Sequence, residues 1–289
     1  MRDLQYYLGE AQKGKWAIGQ FNFSNLEILR AIIQAAQKLY SPVIVGTSEG
    51  EREFVGVRQA AALVKSLREE HHFPIFINAD HTHSLERVKE AVEAGYDAIL
   101  FDGGKLPLEE NIRQTREAVQ YIKAEDPHIV VEGELGYIGS ASEVLKEMPE
   151  GAAITAETMT KAEEAEKFVK ETEIDLLAPA VGSLHGMFEN SPDPRLDVQR
   201  IGFIKKAVKI PLVLHGGSGV RDEDFLAAIK AGISVVHVST EIRLVWRKSL
   251  EKSLGAQLNE VAPHKIMKPV LDDMEKIVEN RLRLFNLEF

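Results

Sequence analysis

At 289 residues the chain is long enough for one (β/α)8 barrel of ~250 residues or for two smaller domains. Its 28% charged and 44% hydrophobic residues suit a soluble globular protein, and a formal net charge of -10 argues against a general nucleic-acid binder, whose surface must be basic. No apolar run of ~18–20 residues marks a membrane span, and the first residues lack the apolar core of a signal peptide, so the expected location is the cytoplasm. There is no cysteine, so any metal must be held by His, Asp or Glu.

The pattern predicts an opening helix over residues 4–12 and then eight repeats of a short apolar run followed by an amphipathic helix. The runs fall at 17–21, 43–46, 75–77, 98–101, 129–131, 176–181, 212–214 and 235–238. Helical spacing lies between them, for example at 26–39, 57–70, 85–94, 109–123, 161–170 and 222–231. Apolar strands alternating with helices imply a parallel sheet covered on both faces. Eight units imply one closed (β/α)8 TIM barrel with extra N-terminal and C-terminal helices, spanning 1–289 as a single domain; an open doubly wound sheet is the alternative. The tail from 263 to 289 reads as a further helix, packed on the barrel or on a partner subunit. The stretch 136–159, with Gly136, Gly139 and Gly151, breaks the rhythm and reads as a lid or a disordered excursion, placed over the active-site end of a barrel.

Residues just past the strands of such a barrel converge on one mouth. In order they are Asn22, Ser48, Asp80 and His81, Asp102, Glu132 and Glu134, His185, His215, then His237 with Ser239 and Thr240. Five of the nine histidines, His81, His83, His185, His215 and His237, fall in or after the third, sixth, seventh and eighth runs. Taken singly, Asp80 or Ser84 could be a helix cap and each histidine a solvated or core residue. Three imidazoles from separate strands facing one axis suit a tetrahedral Zn2+ with an open position. A second constellation, His215-Gly216-Gly217-Ser218-Gly219 before a helix, allows backbone N–H groups to approach an anion, with the helix dipole behind them. On the eighth run, alternation puts His237 on the same face as Ser239 and opposite Val236 and Val238.

These pieces together resemble the class II, metal-dependent fructose-bisphosphate and tagatose-bisphosphate aldolases over nearly the whole chain. The resemblance rests on Phe21-Asn22, Pro42 to Val45 running on to Ser48, Asp80-His81, Phe101-Asp102-Gly103, Glu132 to Gly136, His185-Gly186, Leu214 to Gly219 and Val238 to Glu241. It implies a metal held by His81, His185 and His215, with Glu134 and Asp102 at an alternate position. It also implies substrate and phosphate contacts from Asn22, Ser48, Gly186, Gly216, Gly217, Ser218, Ser239 and Thr240. Zn2+ is the implied ion, with Co2+ or Mn2+ as substitutes and a monovalent cation as a further occupant. The implied reaction is reversible cleavage of a ketose bisphosphate, foremost fructose 1,6-bisphosphate, to dihydroxyacetone phosphate and glyceraldehyde 3-phosphate. Bound Zn2+ would stabilise the enediolate, and Asp80 would move the hydroxyl proton. The implied partners are the phosphorylated ketose and a homodimer or homotetramer, with neither nucleic acid nor membrane.

Three positions depart from the family pattern. His237 stands where relatives carry Asn, so it is a substrate-contact candidate, with metal ligation or hydrogen-bonded support of a ligand as the alternatives. Glu189 follows His185-Gly186 where a phosphate-touching lysine is usual, and Ser142 occupies the place of an acidic proton shuttle, making Glu143 the neighbouring catalytic candidate. The departures bring in a second ketose, such as tagatose 1,6-bisphosphate or a singly phosphorylated sugar. A metal-dependent hydrolase is the alternative of another class.

Overall fold

A computed structural model of the chain describes residues 2–139, 144–146, 154–188 and 194–287. The strands are β1 (Ile18–Asn22), β2 (Val43–Thr47), β3 (Ile75–Thr82), β4 (Ala98–Phe101), β5 (Val130–Leu135), β6 (Val144–Leu145), β7 (Leu176–Pro179), β8 (Met187–Phe188), β9 (Leu212–Leu214) and β10 (Ile233–Val238). All but β6 and β8 close into one parallel barrel, in the order β1-β10-β9-β7-β5-β4-β3-β2. The eight-unit expectation therefore holds, and the open-sheet alternative does not. The helices are α1 (Leu4–Gly14), α2 (Leu26–Lys38), α3 (Glu49–Val55), α4 (Val57–His71), α5 (Leu85–Ala94), α6 (Leu108–Glu125), α7 (Ala162–Thr172), α8 (Val198–Val208), α9 (Asp222–Ala231), α10 (Thr240–Ala256) and α11 (Pro263–Phe285).

The period of two along each strand decides what enters the barrel. At the lower end the inward positions are apolar: Ile18, Ile44, Phe76, Ala98, Val130, Leu176, Val213 and Val235 form one cluster, which Leu4 and Leu8 of α1 close from below. Two residues further along, the same faces turn polar, giving Gln20, Asn78, Glu132, His215 and His237. A further step of two reaches Asn22, Asp80, Glu134 and Ser239. The alternate residues, such as Val43, Ile75, Val131 and Val236, point outward into the larger core beneath the helices. The site is thus the upper continuation of the barrel's own packing.

Two strands run further than expected. β3 continues from Ile77 to Thr82 and β5 from Val131 to Leu135. Their polar inward residues interrupt the apolar run, which hides the strand from a hydrophobicity reading. The segment 136–159 is not wholly irregular, because Val144–Leu145 pairs with Met187–Phe188. A two-residue strand is too short to show periodicity. Ser142, Glu143 and Glu189 lie outside the described residues.

Candidate active site

β3 supplies the centre. His81 has φ 44°, in the left-handed region that a non-glycine residue seldom adopts, and the pairing with β4 shifts register between Ala79 and Thr82. The kink lets consecutive residues Asp80 and His81 both reach the mouth. Buried Arg52 of α3 holds it in place, donating from Nη1 to the carbonyls of Thr47 (2.5 Å) and Asp80 (3.1 Å) and from Nη2 to Thr82 Oγ1 (3.2 Å). The cap of α5 is Ser84, which accepts from Arg87 N, so Asp80 is not spent on capping.

The rings of His81, His185 and His215 stand 4.6 to 5.5 Å apart between centroids. One ligand atom from each, with one from Glu134, forms a group whose members all lie within 4.8 Å of one another. Both oxygens of Glu134 are buried without a hydrogen-bond partner among the described residues. An unpartnered buried carboxylate is costly unless a cation meets it. Three imidazoles and a carboxylate fit Zn2+, and Co2+ or Mn2+ as well. Asp102 stands one bond further out, 2.7 Å from Nδ1 of His81, which leaves Nε2 for a metal. Glu132, 2.7 Å from Nε2 of His215, plays the equivalent part and leaves Nδ1. His83 is half exposed, is absent from the group, and meets the Asp102 carbonyl at 3.2 Å.

Charge is concentrated here. Burial would raise the Asp80 carboxyl, but the imidazoles of His81, His237 and His215 outweigh it and hold Asp80 well below the usual carboxylate range. Burial opposes the charge of His81 too, yet Asp80, Asp102 and Glu134 push it up to about 10. Burial, reinforced by the charge of His81, pushes His185 down and His215 to about 3. Burial and the neighbouring carboxylates raise Glu132 to about 7 and Glu134 well above its usual value.

Asp80 Oδ2 accepts from Asn22 Nδ2 at 2.7 Å, while Oδ1 has no hydrogen-bond partner among the described residues. His237 points inward as the alternation requires, its ring centroid 4.0 Å from that of His215. Its Nδ1 accepts from Gln20 Nε2 (3.1 Å), and Gln20 Oε1 accepts from Asn78 Nδ2 (3.0 Å). Its Nε2 is buried without a hydrogen-bond partner among the described residues, 3.9 Å from Glu132 Oε2. Burial lowers its pKa, so it faces the cleft as a neutral imidazole. Gln20, Asn78, Glu51 and Arg52 are site residues that motif reading passes over. Strand alternation would have found the first two, since they sit two places from Asn22 and Asp80.

The glycine loop and β10 wall the same small cavity as Asn22, Asp80, His81 and His185. Gly216 has φ 62°, and a Cβ there would come within 2.3 Å of the Leu184 carbonyl, so the position requires glycine. Gly217 N donates to the His237 carbonyl (3.0 Å) and Glu241 N to Ser218 Oγ (3.1 Å). These bonds hold the loop against the start of α10, where Ser239 and Thr240 complete the wall together with Gly186 on the far side. The expected helix dipole behind the loop belongs to α10, because α9 opens with Asp222, Glu223 and Asp224 and its residues do not line the cavity. A wider groove of about 850 Å3 between α2 and α11 contains none of these residues.

A parallel eight-stranded barrel with a buried histidine–carboxylate group and a glycine-rich loop at the C-terminal mouth has the build of a metal-assisted barrel enzyme. The chain belongs to the class-II fructose-bisphosphate aldolase family, whose model matches residues 2–288. It is an aldolase, and therefore a lyase. It is 38% identical to a fructose-bisphosphate aldolase of Geobacillus stearothermophilus over 285 residues, covering 98% of this chain and 96% of that one. It is 34% identical to a 6-phospho-5-dehydro-2-deoxy-D-gluconate aldolase of Shouchella clausii, covering 96% and 92%. Its structure is similar to the YdjI aldolase of Escherichia coli K12, with a TM-score of 0.82 and 28% identity over 98% of this chain and 96% of that one.

Proposed function

We propose that the protein catalyses reversible aldol cleavage of a phosphorylated ketose, releasing dihydroxyacetone phosphate and an aldehyde, with Asp80 as the general acid–base. The observation that carries this is Asp80, buried and ionised beside the histidine group, whose Oδ1 makes no hydrogen bond among the described residues and faces His237 Nδ1 at 3.5 Å. His81, His185, His215 and Glu134 would hold a divalent metal, foremost zinc, which supplies a Lewis acid for the ketone and for the charge left when the bond breaks. Asp80 takes the proton of the C4 hydroxyl as the C3–C4 bond breaks and its electron pair moves toward the ketone. In condensation Asp80 returns that proton to the new C4 oxygen. Asn22 fixes the Asp80 rotamer through Oδ2. The phosphate of the three-carbon half sits against Gly216, Gly217, Ser218, Ser239 and Thr240. The neutral His237 offers its Nε2–H to a substrate oxygen. This phosphate cradle disfavours the hydrolase reading, since hydrolysis of a neutral substrate needs none.

The test is an assay of cleavage against a panel of phosphorylated ketoses, fructose and tagatose 1,6-bisphosphate included, with and without chelator. Stripping the metal is expected to abolish cleavage without unfolding the barrel, and Zn2+ to restore it. Asp80→Asn is expected to retain metal but lose ~10²–10⁴-fold in cleavage rate, whereas His81→Ala loses metal. Full activity with metal content near zero, or identical metal content and kinetics in the two variants, would overturn the assignment.

A further inference from the structure

We propose that Glu51 makes the far end of the cleft a seat for an uncharged, hydroxyl-bearing aldehyde, so that the ketose carries its phosphate at C1 alone. The inference rests on the aldolase reading and narrows its substrate class.

The cleft has two compartments, and Asn22, Asp80, His81 and His185 line both. The reacting carbons therefore sit between them. The first compartment ends at the glycine loop and has the backbone donors a phosphate needs. The second, about 230 Å3, extends the other way to Ser48, Glu49, His83 and Arg243, and it must take the aldehyde half.

A second phosphate would need free donors and an unneutralised cation there; Glu51 takes the side-chain hydrogen of Ser48 and one from Asn22, and it pairs with the Arg243 guanidinium. This buried residue of α3 lies behind the compartment. Its Oε1 accepts from Arg243 Nη2 at 2.6 Å, matching the charge of that guanidinium. Its Oε2 accepts from Ser48 Oγ at 2.9 Å, which uses the only hydrogen that hydroxyl has to give. The same oxygen accepts from Asn22 Nδ2 at 3.1 Å, and the other hydrogen of that amide goes to Asp80. Ser48 Oγ and Asn22 Oδ1 are left as acceptors. Acceptors repel a phosphate oxygen and welcome a sugar hydroxyl. Two more carboxylates, Glu49 and Asp102, share the lining with Gly50 and His83.

Capping alone does not explain Glu51. The Ser48–Glu51 capping box uses Oε2, and an exposed glutamate would serve it equally well. The contact from Oε1 to Arg243, 192 residues away in the chain, joins α3 to α10 across the mouth. Glu51 thus acts through Arg243, Ser48 and Asn22 as a positioning residue that selects against charge.

The experiment runs in the condensation direction, with dihydroxyacetone phosphate and either glyceraldehyde or glyceraldehyde 3-phosphate. The readout is the ratio of kcat/KM for the phosphorylated aldehyde to that for the neutral one. Exchange of C3 hydrogen of dihydroxyacetone phosphate in deuterated water, with no aldehyde present, reports the shared half-reaction. In the wild-type protein the ratio is expected below one. Glu51→Ala and Glu51→Gln release the donors, and the ratio is expected to rise by ~tenfold or more in each variant that keeps the wild-type circular dichroism. A wild-type ratio above one overturns the inference whatever the variants do. So does an unchanged ratio in a folded variant. Absence of both hydrogen exchange and condensation overturns the aldolase reading together with this one, whereas exchange with a preference for the phosphorylated aldehyde overturns this one alone.

Discussion

His81, proposed as a metal ligand, is held in place by its own neighbours. Asp102 holds Nδ1 at 2.7 Å, and the surrounding carboxylates push the ring up to about 10. Without metal it is a cation at pH 7.5. Because its folded value lies above the unfolded ~6.5, its stabilising contribution is complete below ~6.5 and is lost as pH rises through about 10. A metal ligand must be neutral at the coordinating nitrogen, so loading at pH 7.5 expels a proton. Calorimetric titration of metal-free protein with Zn2+ in buffers of different ionisation enthalpy is expected to show at least one proton released per ion. A buffer-independent enthalpy would mean that His81 is already neutral. At this scale Asp80, the three histidines and Glu134 were legible in the sequence, because their residue types at strand ends announce chemistry. Gln20, Asn78 and Arg52 were not, since each works by holding a neighbour and none belongs to a motif. Glu51 was not legible either, because the Ser48-x-x-Glu51 spacing is that of a helix cap and conceals the contact with Arg243.

Among the elements, the end of β3 and the short helix α3 form one device. A left-handed His81 and a register shift are unfavourable in isolation and persist only when their surroundings hold them. Arg52 does so with a planar fork that reaches two carbonyls and a hydroxyl at once. Arg52→Lys keeps the charge but not the fork, and a compact ammonium cannot span the same three acceptors. The expected result is a ~10–100-fold loss of metal affinity, the scale typical of an outer-shell partner, measured by competition with a chelating dye. Unchanged affinity would show that strand pairing alone aims Asp80 and His81. The alternation of strands with helices made the barrel legible, yet β3 and β5 read short. Their upper halves carry the polar residues that matter to function, and an apolar-run criterion stops where those begin. α3, at seven residues, is too short for periodicity to reveal it.

At the level of the molecule, the two ends of the chain close the barrel. β1 pairs with β10 on one side and β2 on the other, and Ala17 N donates to the Phe285 carbonyl at 3.0 Å. α11 lies along α2 and α10, with Val270, Met274, Val278, Leu282 and Phe285 buried on one face, and the Phe285 ring sits 5.2 Å from that of Phe225. The last helix thus backs the first strand, which itself carries Gln20 and Asn22 into the site. That connectivity gives the expectation of a single domain over residues 1–289 a direct test. Phe285→Ala removes a fully buried aromatic ring and is expected to cost ~3–5 kcal/mol of stability. If the chain folds as one unit, thermal melting of the variant followed by far-ultraviolet circular dichroism and by release of bound metal shifts by the same amount in both signals. Loss at the C-terminal helix would then reach the mouth through β1. A variant that sheds metal and secondary structure in two separated transitions would instead divide the chain into independent units and detach the terminal helix from the site.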